Sequence, residues 1–342
     1  MAFDGLTVRM IAAELNEQLV GCRIIKIYQP TRFDLVLHCR RPGLGVQLLV
    51  SGHPQYARIH LTTASIPNPP SPPAFCMLLR KHLEGGKITS ISQVGFERIV
   101  QIDVENLTEQ GELANKRLLV EIMGRHSNVI LLDSDHMTIL DAMTRVTEGM
   151  SRYRQVAPGE TYVLPPAQDK LDPLRTDFYQ FTSRIAPAAP NQKLFELLVD
   201  TYQGISPTTA KEVVVRAGLE PNVTREQVSD LAKLWNVFQN LLHDTIARKR
   251  PSLAVDEDGT PVDFAPFSLT AKGVSYLETS TLSEAIDKYY QYKERQSSLK
   301  QLAGELTQAI STHLRRIESK IEKQEETLKE AKDAEQYRIQ GE

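Results

Sequence analysis

Residues 116–133 read KRLLVEIMGRHSNVILLD, in which two apolar runs enclose a polar insert that begins at a glycine. The runs around Val120 and Ile130 are rich in branched side chains in near alternation, which is typical of β-strands. The insert GRHSN, residues 124–128, supplies turn-forming residues between them. The stretch therefore predicts two antiparallel strands with polar side chains at their connection.

The flanking sequence extends this β pattern toward the N-terminus. Residues 6–19 carry apolar side chains at helical spacing, and short strand-like runs follow at 22–29, 34–40, 46–52 and 57–63. A proline-rich segment then precedes an amphipathic run that ends at Gly85 and Gly86, which predicts a short helix. Strand-like runs resume between residues 87 and 146. We predict one β-rich domain over residues 1–172, within an α+β fold.

The periodicity changes to helical from residue 178 to residue 249. Inside this region, residues 203–219 read QGISPTTAKEVVVRAGL, with Ser206 as an N-cap and Pro207 at the first helical position. Such a turn is either a helix-hairpin-helix that offers backbone N–H groups to a phosphate or an ordinary helical hairpin. Asp258 and Gly259 predict a β-hairpin after it. We predict a helical domain with this hairpin over residues 173–282.

Residues 283–342 are almost free of glycine and proline and carry a heptad seam. The seam alternates steps of four and three through Ile310, Leu314, Ile317, Ile321, Gln324, Leu328 and Ala331. We predict the first arm of a coiled coil. Since residues 340–342 are reached without a returning helix, we expect the second arm in sequence beyond them.

Composition sets the class of protein. The chain has 342 residues, 41% of them hydrophobic and 24% charged, with a formal net charge of -3 and three cysteines that show no metal-binding spacing. The first residues lack the pattern of a secretion signal, and no apolar run is long enough to span a membrane. We expect a cytoplasmic protein without a membrane partner.

Motifs for catalysis are missing from the sequence. It contains no phosphate loop, no nucleophile elbow, no H-E-x-x-H pair and no dinucleotide fingerprint, so no cofactor or metal is expected. His126 with Asp133 or Glu121 forms a weak acid/base set at most. We therefore predict a binding protein and not an enzyme.

Polar residues do follow several apolar runs. They are Glu97 and Arg98, the segment from Glu121 to Asn128, and Arg145, Arg152 and Arg154. Arginine forks bind phosphates, and polar groups at strand ends can read unstacked bases, so these residues either form an RNA-facing surface or a solvated strand face. Arg80, Lys81 and His82 are either a nucleic-acid contact or a solvated helix end favoured by the helix dipole. Lys211 and Arg216 have the same two interpretations.

Several separated motifs, in order, resemble the NFACT family over essentially the whole chain. They are MAFDGLTVRMIAAEL, NPPSPPAFCMLLRKHLEGG, GFERIV, EIMGRHSNVILLD and RYRQVAPGE. The resemblance implies an N-terminal domain similar to formamidopyrimidine-DNA glycosylases, a helix-hairpin-helix domain, a long coiled coil and a C-terminal RNA-binding domain that this sequence lacks.

The family resemblance also implies a function in ribosome quality control. Its members bind a large ribosomal subunit that carries peptidyl-tRNA, act with other quality control factors, and recruit alanyl-tRNA for template-free alanine tailing by the ribosome. The older family name suggests the alternative of a fibronectin-binding surface adhesin. The glycosylase likeness does not imply base excision, because the chain begins Met1-Ala2-Phe3-Asp4 and lacks the N-terminal proline nucleophile followed by glutamate.

The family motifs assign the candidate site residue by residue. The acidic-arginine pair for tRNA recruitment falls on Glu97 and Arg98, with Glu where bacterial relatives often have Asp. The Glu-Ile-Met motif falls on Glu121, Ile122 and Met123. The full set expected to bind tRNA, at its anticodon end, is Glu97, Arg98, Glu121, Ile122, Met123, Arg125, His126, Asn128, Arg145 and Arg154. Further possible RNA contacts are Arg80, Lys81 and Lys211.

Overall fold

The computed structural model of this chain describes residues 3–108, 110–270 and 275–341, with side chains throughout except at 335–337, 339 and 340. Met1 and Ala2, on which the argument against a glycosylase nucleophile depends, lie outside the described residues, and so does Glu342. The described chain up to Tyr290 forms one compact unit, and the described chain from Gln291 forms a second.

Helices and strands follow the predicted order. The first part of the chain forms α1 Gly5–Leu19, β1 Arg23–Tyr28, β2 Asp34–Arg41, β3 Leu44–Ser51, β4 Arg58–Thr62, α2 Ala74–Leu83, β5 Lys87–Gln93, β6 Ile99–Leu107, β7 Leu113–Glu121, β8 Asn128–Asp133 and β9 Thr138–Ala142. The rest forms α3 Phe178–Ile185, α4 Leu194–Thr201, α5 Pro207–Arg216, α6 Leu231–Arg248, β10 Ser252–Val255, β11 Pro261–Ala265, β12 Ser275–Glu278 and α7 Leu282–Gly341.

Nine antiparallel strands form one sheet, in the order β4-β3-β2-β1-β5-β6-β7-β8-β9. Its halves, β1–β4 and β5–β9, are joined where Arg23 pairs with Lys87. Strands β3 and β8 nevertheless contact each other, and the main apolar core holds side chains from β1 to β8 together with α1 and α2. The sheet therefore bends so that its halves face each other, because each half must bury one apolar face.

A buried carboxylate connects the first helix to the helical region. Asp4 caps α1 by accepting a hydrogen bond from the Thr7 N–H at 2.8 Å. Its other oxygen accepts from the Ser206 and Thr209 hydroxyls at 2.8 and 2.6 Å. The predicted N-cap is confirmed, since the Ser206 hydroxyl accepts from the Thr209 N–H, and Pro207 follows at the first helical position. One side chain thus fixes the starts of both α1 and α5.

Helices α3–α6 pack around a second apolar core that includes Tyr202 and Phe238. The predicted hairpin is confirmed as β10 and β11, with Gly259 in its turn at a φ of 76°. Helix α7 begins where the Glu14 carboxylate accepts the N–H groups of Leu282 and Ser283.

The mixed α/β architecture with a large antiparallel sheet agrees with the predicted α+β class. In α7 the seam residues Leu314 and Ile317 are 52% and 54% exposed. The helix-hairpin-helix, the coiled coil, the likeness to glycosylases and the three domain boundaries stay predictions. No helix among the described residues combines the length and the apolar character that a membrane crossing requires.

Candidate nucleic-acid interface

Most of the predicted site residues lie at one end of the sheet. Antiparallel neighbours alternate in direction, so the β5–β6 turn, the β7–β8 connection and the residues after β9 share that end. Glu121 pairs with Ile99 on one side and with Asn128 on the other. Ala142, the last residue of β9, pairs with Ile130. The sheet register therefore brings together segments from residue 97 to residue 145.

The β5–β6 turn holds Glu97 and Arg98, both half-buried. The Glu97 carboxylate accepts a hydrogen bond of 2.5 Å from the Gln203 side-chain amide. The Glu97 carbonyl accepts another from the Gln93 side chain at 2.8 Å, and the Arg98 carbonyl accepts the Ile122 N–H at 2.8 Å. The acidic-arginine pair is thus bonded to both the helical region and the β7–β8 connection.

Gln203 belongs to the α4–α5 turn, which sits directly on this site. The Gly5 N–H donates to the Gly204 carbonyl at 2.6 Å, and a side-chain carbon on either glycine would lie within 3 Å of the Phe96 carbonyl oxygen. Gly204 also has a φ of 67°, a conformation that other residues rarely adopt. Only glycines allow this approach. No local sequence pattern predicts that Gln203 reaches Glu97, since 106 residues separate them.

Glu121 is fully buried and forms an ion pair with Arg154. Two guanidinium nitrogens of Arg154 donate to the two carboxylate oxygens at 2.7 and 2.5 Å, and the Tyr162 hydroxyl donates to one of them at 2.7 Å. Burial and the Glu121 charge both raise the pKa of Tyr162. Burial lowers the pKa of Arg154, but the bonds and charges of Glu121 and Tyr162 together raise it above its ordinary value. Tyr162 was not among the site residues predicted from the sequence.

The other members of the Glu-Ile-Met motif are also held inside. Ile122 is fully buried in the main core, and Met123 is half-buried against a smaller cluster on the outer face of the sheet. The Met123 N–H donates to the Ser127 hydroxyl at 2.9 Å, and Gly124 turns the chain with a φ of 61°. Glu121 and Ile122 are both fully buried beneath this connection, so their predicted contact with tRNA stays a prediction.

Arg125 and His126 form the exposed part of the β7–β8 connection. The Arg125 Nε donates to the His126 Nε2 at 3.0 Å. Asn128 is buried instead, where its amide donates to the Thr144 carbonyl at 2.7 Å and its oxygen accepts the Thr144 N–H. Asn128 thereby fixes the segment that leads to Arg145.

Arg145 follows β9 and is 59% exposed. Its guanidinium donates two bonds of 2.8 Å to the Asp141 carboxylate. Burial raises the pKa of Asp141, but the bonds and charge of Arg145 and the Ala142 N–H together lower it below its ordinary value. The fork is therefore held in place while its remaining N–H groups face solvent.

The further RNA-contact candidates belong to other elements. Arg80, in the last turn of α2, donates to the Ile27 carbonyl at 2.8 Å, and Lys81 beside it is exposed. Lys211 on α5 lies 4.6 Å from the centre of the Phe195 ring. These contacts leave the earlier two interpretations open.

Both carboxylates considered as partners of His126 are bonded to other side chains. Both oxygens of Glu121 accept bonds from Arg154, and Asp133 accepts bonds from Lys116 and His136. Within the described ranges, no three or more histidine, cysteine, aspartate or glutamate side chains are grouped so that they could hold a metal ion. The arrangement suits recognition of a ligand that carries phosphates.

Comparisons with known proteins match the chain along its length. The family model described as NFACT N-terminal and middle domains matches residues 4–342. The Rqc2 homolog RqcH of Bacillus subtilis (strain 168) is 37% identical over 342 residues, which is 100% of this chain and 58% of that protein. The human ribosome quality control complex subunit NEMF is 25% identical, over 94% of this chain and 31% of NEMF. The chain thus spans little more than half the length of the bacterial relative.

Two solved structures have a similar fold. The N-terminal part of the fibronectin/fibrinogen-binding protein from Streptococcus suis is 30% identical with a TM-score of 0.70, covering 84% of this chain and 99% of that one. The fibrinogen binding protein from Staphylococcus aureus is 28% identical with a TM-score of 0.71, covering 85% and 99%.

Proposed function

This chain belongs to the NFACT family, and from that premise we propose that it is a ribosome quality control adaptor. It binds large ribosomal subunits that carry peptidyl-tRNA and recruits alanyl-tRNA for template-free alanine tailing of the stalled nascent chain. The ribosome makes the peptide bond, so this protein is not an enzyme. Its other partners are further quality control factors, and its location is the cytoplasm.

The observation that carries this proposal is the convergence of three strand connections at one end of the sheet. There the exposed Arg125 and Arg145 lie with the half-buried Glu97 and Arg98. Guanidinium forks bind phosphates, while carboxylate, amide and imidazole groups accept or donate to base edges. A single-stranded loop with splayed bases, such as an anticodon loop, presents both kinds of group.

The remaining motif residues act from inside the fold in this proposal. The Glu121–Arg154 pair, with Tyr162, holds the end of β7, and Asn128 holds the start of β8. The connection between these two fixed points presents Arg125 and His126. Buried support of this kind places contact residues before the ligand arrives and so reduces the entropy cost of binding.

Sequencing of RNA that copurifies with the tagged protein tests the proposal. Alanine tRNA and large-subunit RNA should be enriched with the wild type, and Glu97→Ala/Arg98→Ala should lose the tRNA while the ribosomal RNA remains. Arg175→Ala is the matched control, because Arg175 is 88% exposed and lies in the helical region. Enrichment of neither RNA would reject the adaptor function.

A fibronectin- or fibrinogen-binding adhesin is the second candidate. It is favoured by the names of the two solved structures with 30% and 28% identity. This function predicts that the purified chain binds immobilised fibronectin or fibrinogen and that the protein is found on the cell surface. Binding that survives Glu97→Ala/Arg98→Ala, in a protein that enriches no RNA, would establish it in place of the adaptor.

A further inference from the structure

A row of basic side chains crosses the sheet at the end opposite the candidate interface. Arg23 on β1 pairs with Arg40 on β2 and with Lys87 on β5. We call Lys87, Arg23, Arg40 and the adjacent Arg41 the basic ladder. Lys87 begins the strand that ends before Glu97, so about 20 Å separates the two surfaces at ~3.3 Å per residue.

Without a bound ligand, the basic ladder destabilises the folded chain. Like charges directly opposite each other on neighbouring strands repel. Lys87 has Glu105 as its partner on β6, whereas the Arg23 and Arg41 guanidinium groups donate to the carbonyls of Gly85 and Val20, at 2.7 and 3.1 Å. Within the described part of the chain, Arg23, Arg40 and Arg41 form no ion pair with a carboxylate. Carbonyls orient the Arg23 and Arg41 guanidinium groups without neutralising them.

Three arginines of the basic ladder line a depression that is open to a ligand. Arg23, Arg40 and Arg41 line a volume of about 700 Å³ together with Ile25 and the turn at residues 42–45. Ile25 is 46% exposed at an irregularity in β1, and Gly43 and Gly45 have open space where a side chain would be. A polymer backbone can therefore approach the turn closely, with apolar surface beside the charges.

We infer that the basic ladder is a second RNA-binding surface, which contacts the phosphate backbone of an RNA helix without reading its sequence. Oriented guanidinium forks bind phosphate oxygens in pairs, and RNA phosphates would relieve the repulsion within the ladder. The choice of RNA over an acidic peptide rests on the proposed function. The ladder and the candidate interface would then hold RNA at two ends of one sheet.

The test uses fluorescence anisotropy with a labelled 20-base-pair RNA duplex of arbitrary sequence, titrated at several salt concentrations. Arg40→Gln should lower the slope of log affinity against log salt by about 0.9 and weaken binding about five- to tenfold at 0.1 M salt. The same variant should raise the unfolding midpoint by roughly 1–2 °C, since one repelling charge is removed. Arg175→Gln, on an exposed arginine outside the ladder, should change neither quantity.

A higher unfolding midpoint combined with weaker RNA binding would support the inference. The loss of a purely structural arginine would not change the midpoint and the affinity in these directions. An unchanged salt slope in Arg40→Gln would overturn it. The inference would also be overturned if Arg40→Gln lost binding to a 12-residue polyaspartate peptide but kept binding to the duplex, because that result would indicate an acidic peptide partner.

Failure of the proposed function can be distinguished from failure of this inference. If alanine tRNA binding depends on Glu97 and Arg98 but duplex binding does not depend on Arg40, only the RNA-binding role of the basic ladder is rejected. If the duplex depends on Arg40 while tRNA does not bind, the ladder stands and the adaptor function is rejected.

Discussion

Replacing Glu121 with glutamine tests whether the Glu-Ile-Met motif supports the interface from inside. The substitution keeps the shape and an acceptor for Tyr162, but it removes the charge that Arg154 faces across bonds of 2.7 and 2.5 Å. Glu121 is 0% exposed and Arg154 13% exposed, so water cannot replace the lost partner. Breaking such a buried pair costs about 3–5 kcal/mol.

The assay is urea unfolding of the purified chain, and the exposed counterpart Arg145→Ala is the matched control. Arg145 also donates two bonds to one carboxylate, but it is 59% exposed, and such a pair contributes less than about 1 kcal/mol. We expect Glu121→Gln to lower the free energy of unfolding several times more than Arg145→Ala does. Equal, small losses in the two variants would refute a supporting role for Glu121.

Three further predictions concern His60, Gly204 and Gln203. Burial lowers the pKa of His60 from 6.5 to about 4, so between these pH values the unfolded chain binds a proton that the folded chain does not. About 3 kcal/mol of stability should therefore be lost as the pH falls from 6.5 to 4. Urea unfolding at each pH, with His60→Gln as the control, measures this loss. Gly204→Ala should destabilise the fold by more than Gly159→Ala, because both have positive φ but only Gly204 lies against a backbone carbonyl, at 2.6 Å from the added carbon; thermal unfolding compares them. Gln203→Ala should weaken tRNA binding roughly two- to tenfold by releasing the Glu97 carboxylate, as anisotropy would show, and unchanged affinity would contradict it.

Local sequence signals predicted the elements of this fold well. Alternating branched residues marked the strands on both sides of residues 124–128, and Ser206 with Pro207 marked the start of α5. These signals depend on neighbours a few residues apart, because capping and strand alternation are local properties of the backbone. The ends of strands where the candidate residues lie could be predicted for the same reason.

Partners across the chain could not be predicted. Glu121 looked like a polar residue at a strand end, but its partners Arg154 and Tyr162 lie 33 and 41 residues away. The pairing of Arg23 with Arg40 depends on sheet register, and a slip of one residue would place the two side chains on opposite faces. Burial and charge pairing are thus set by the tertiary fold.

The measurement that tests the central claim most directly is the affinity of labelled alanine tRNA for the purified chain and for Arg125→Ala. Arg125 is exposed and bonded to the neighbouring His126, so its loss should leave the fold intact. If this end of the sheet holds tRNA, the wild type binds and Arg125→Ala binds about five- to tenfold more weakly at 0.1 M salt. Equal affinity of the two proteins, or no binding by either, would contradict the account.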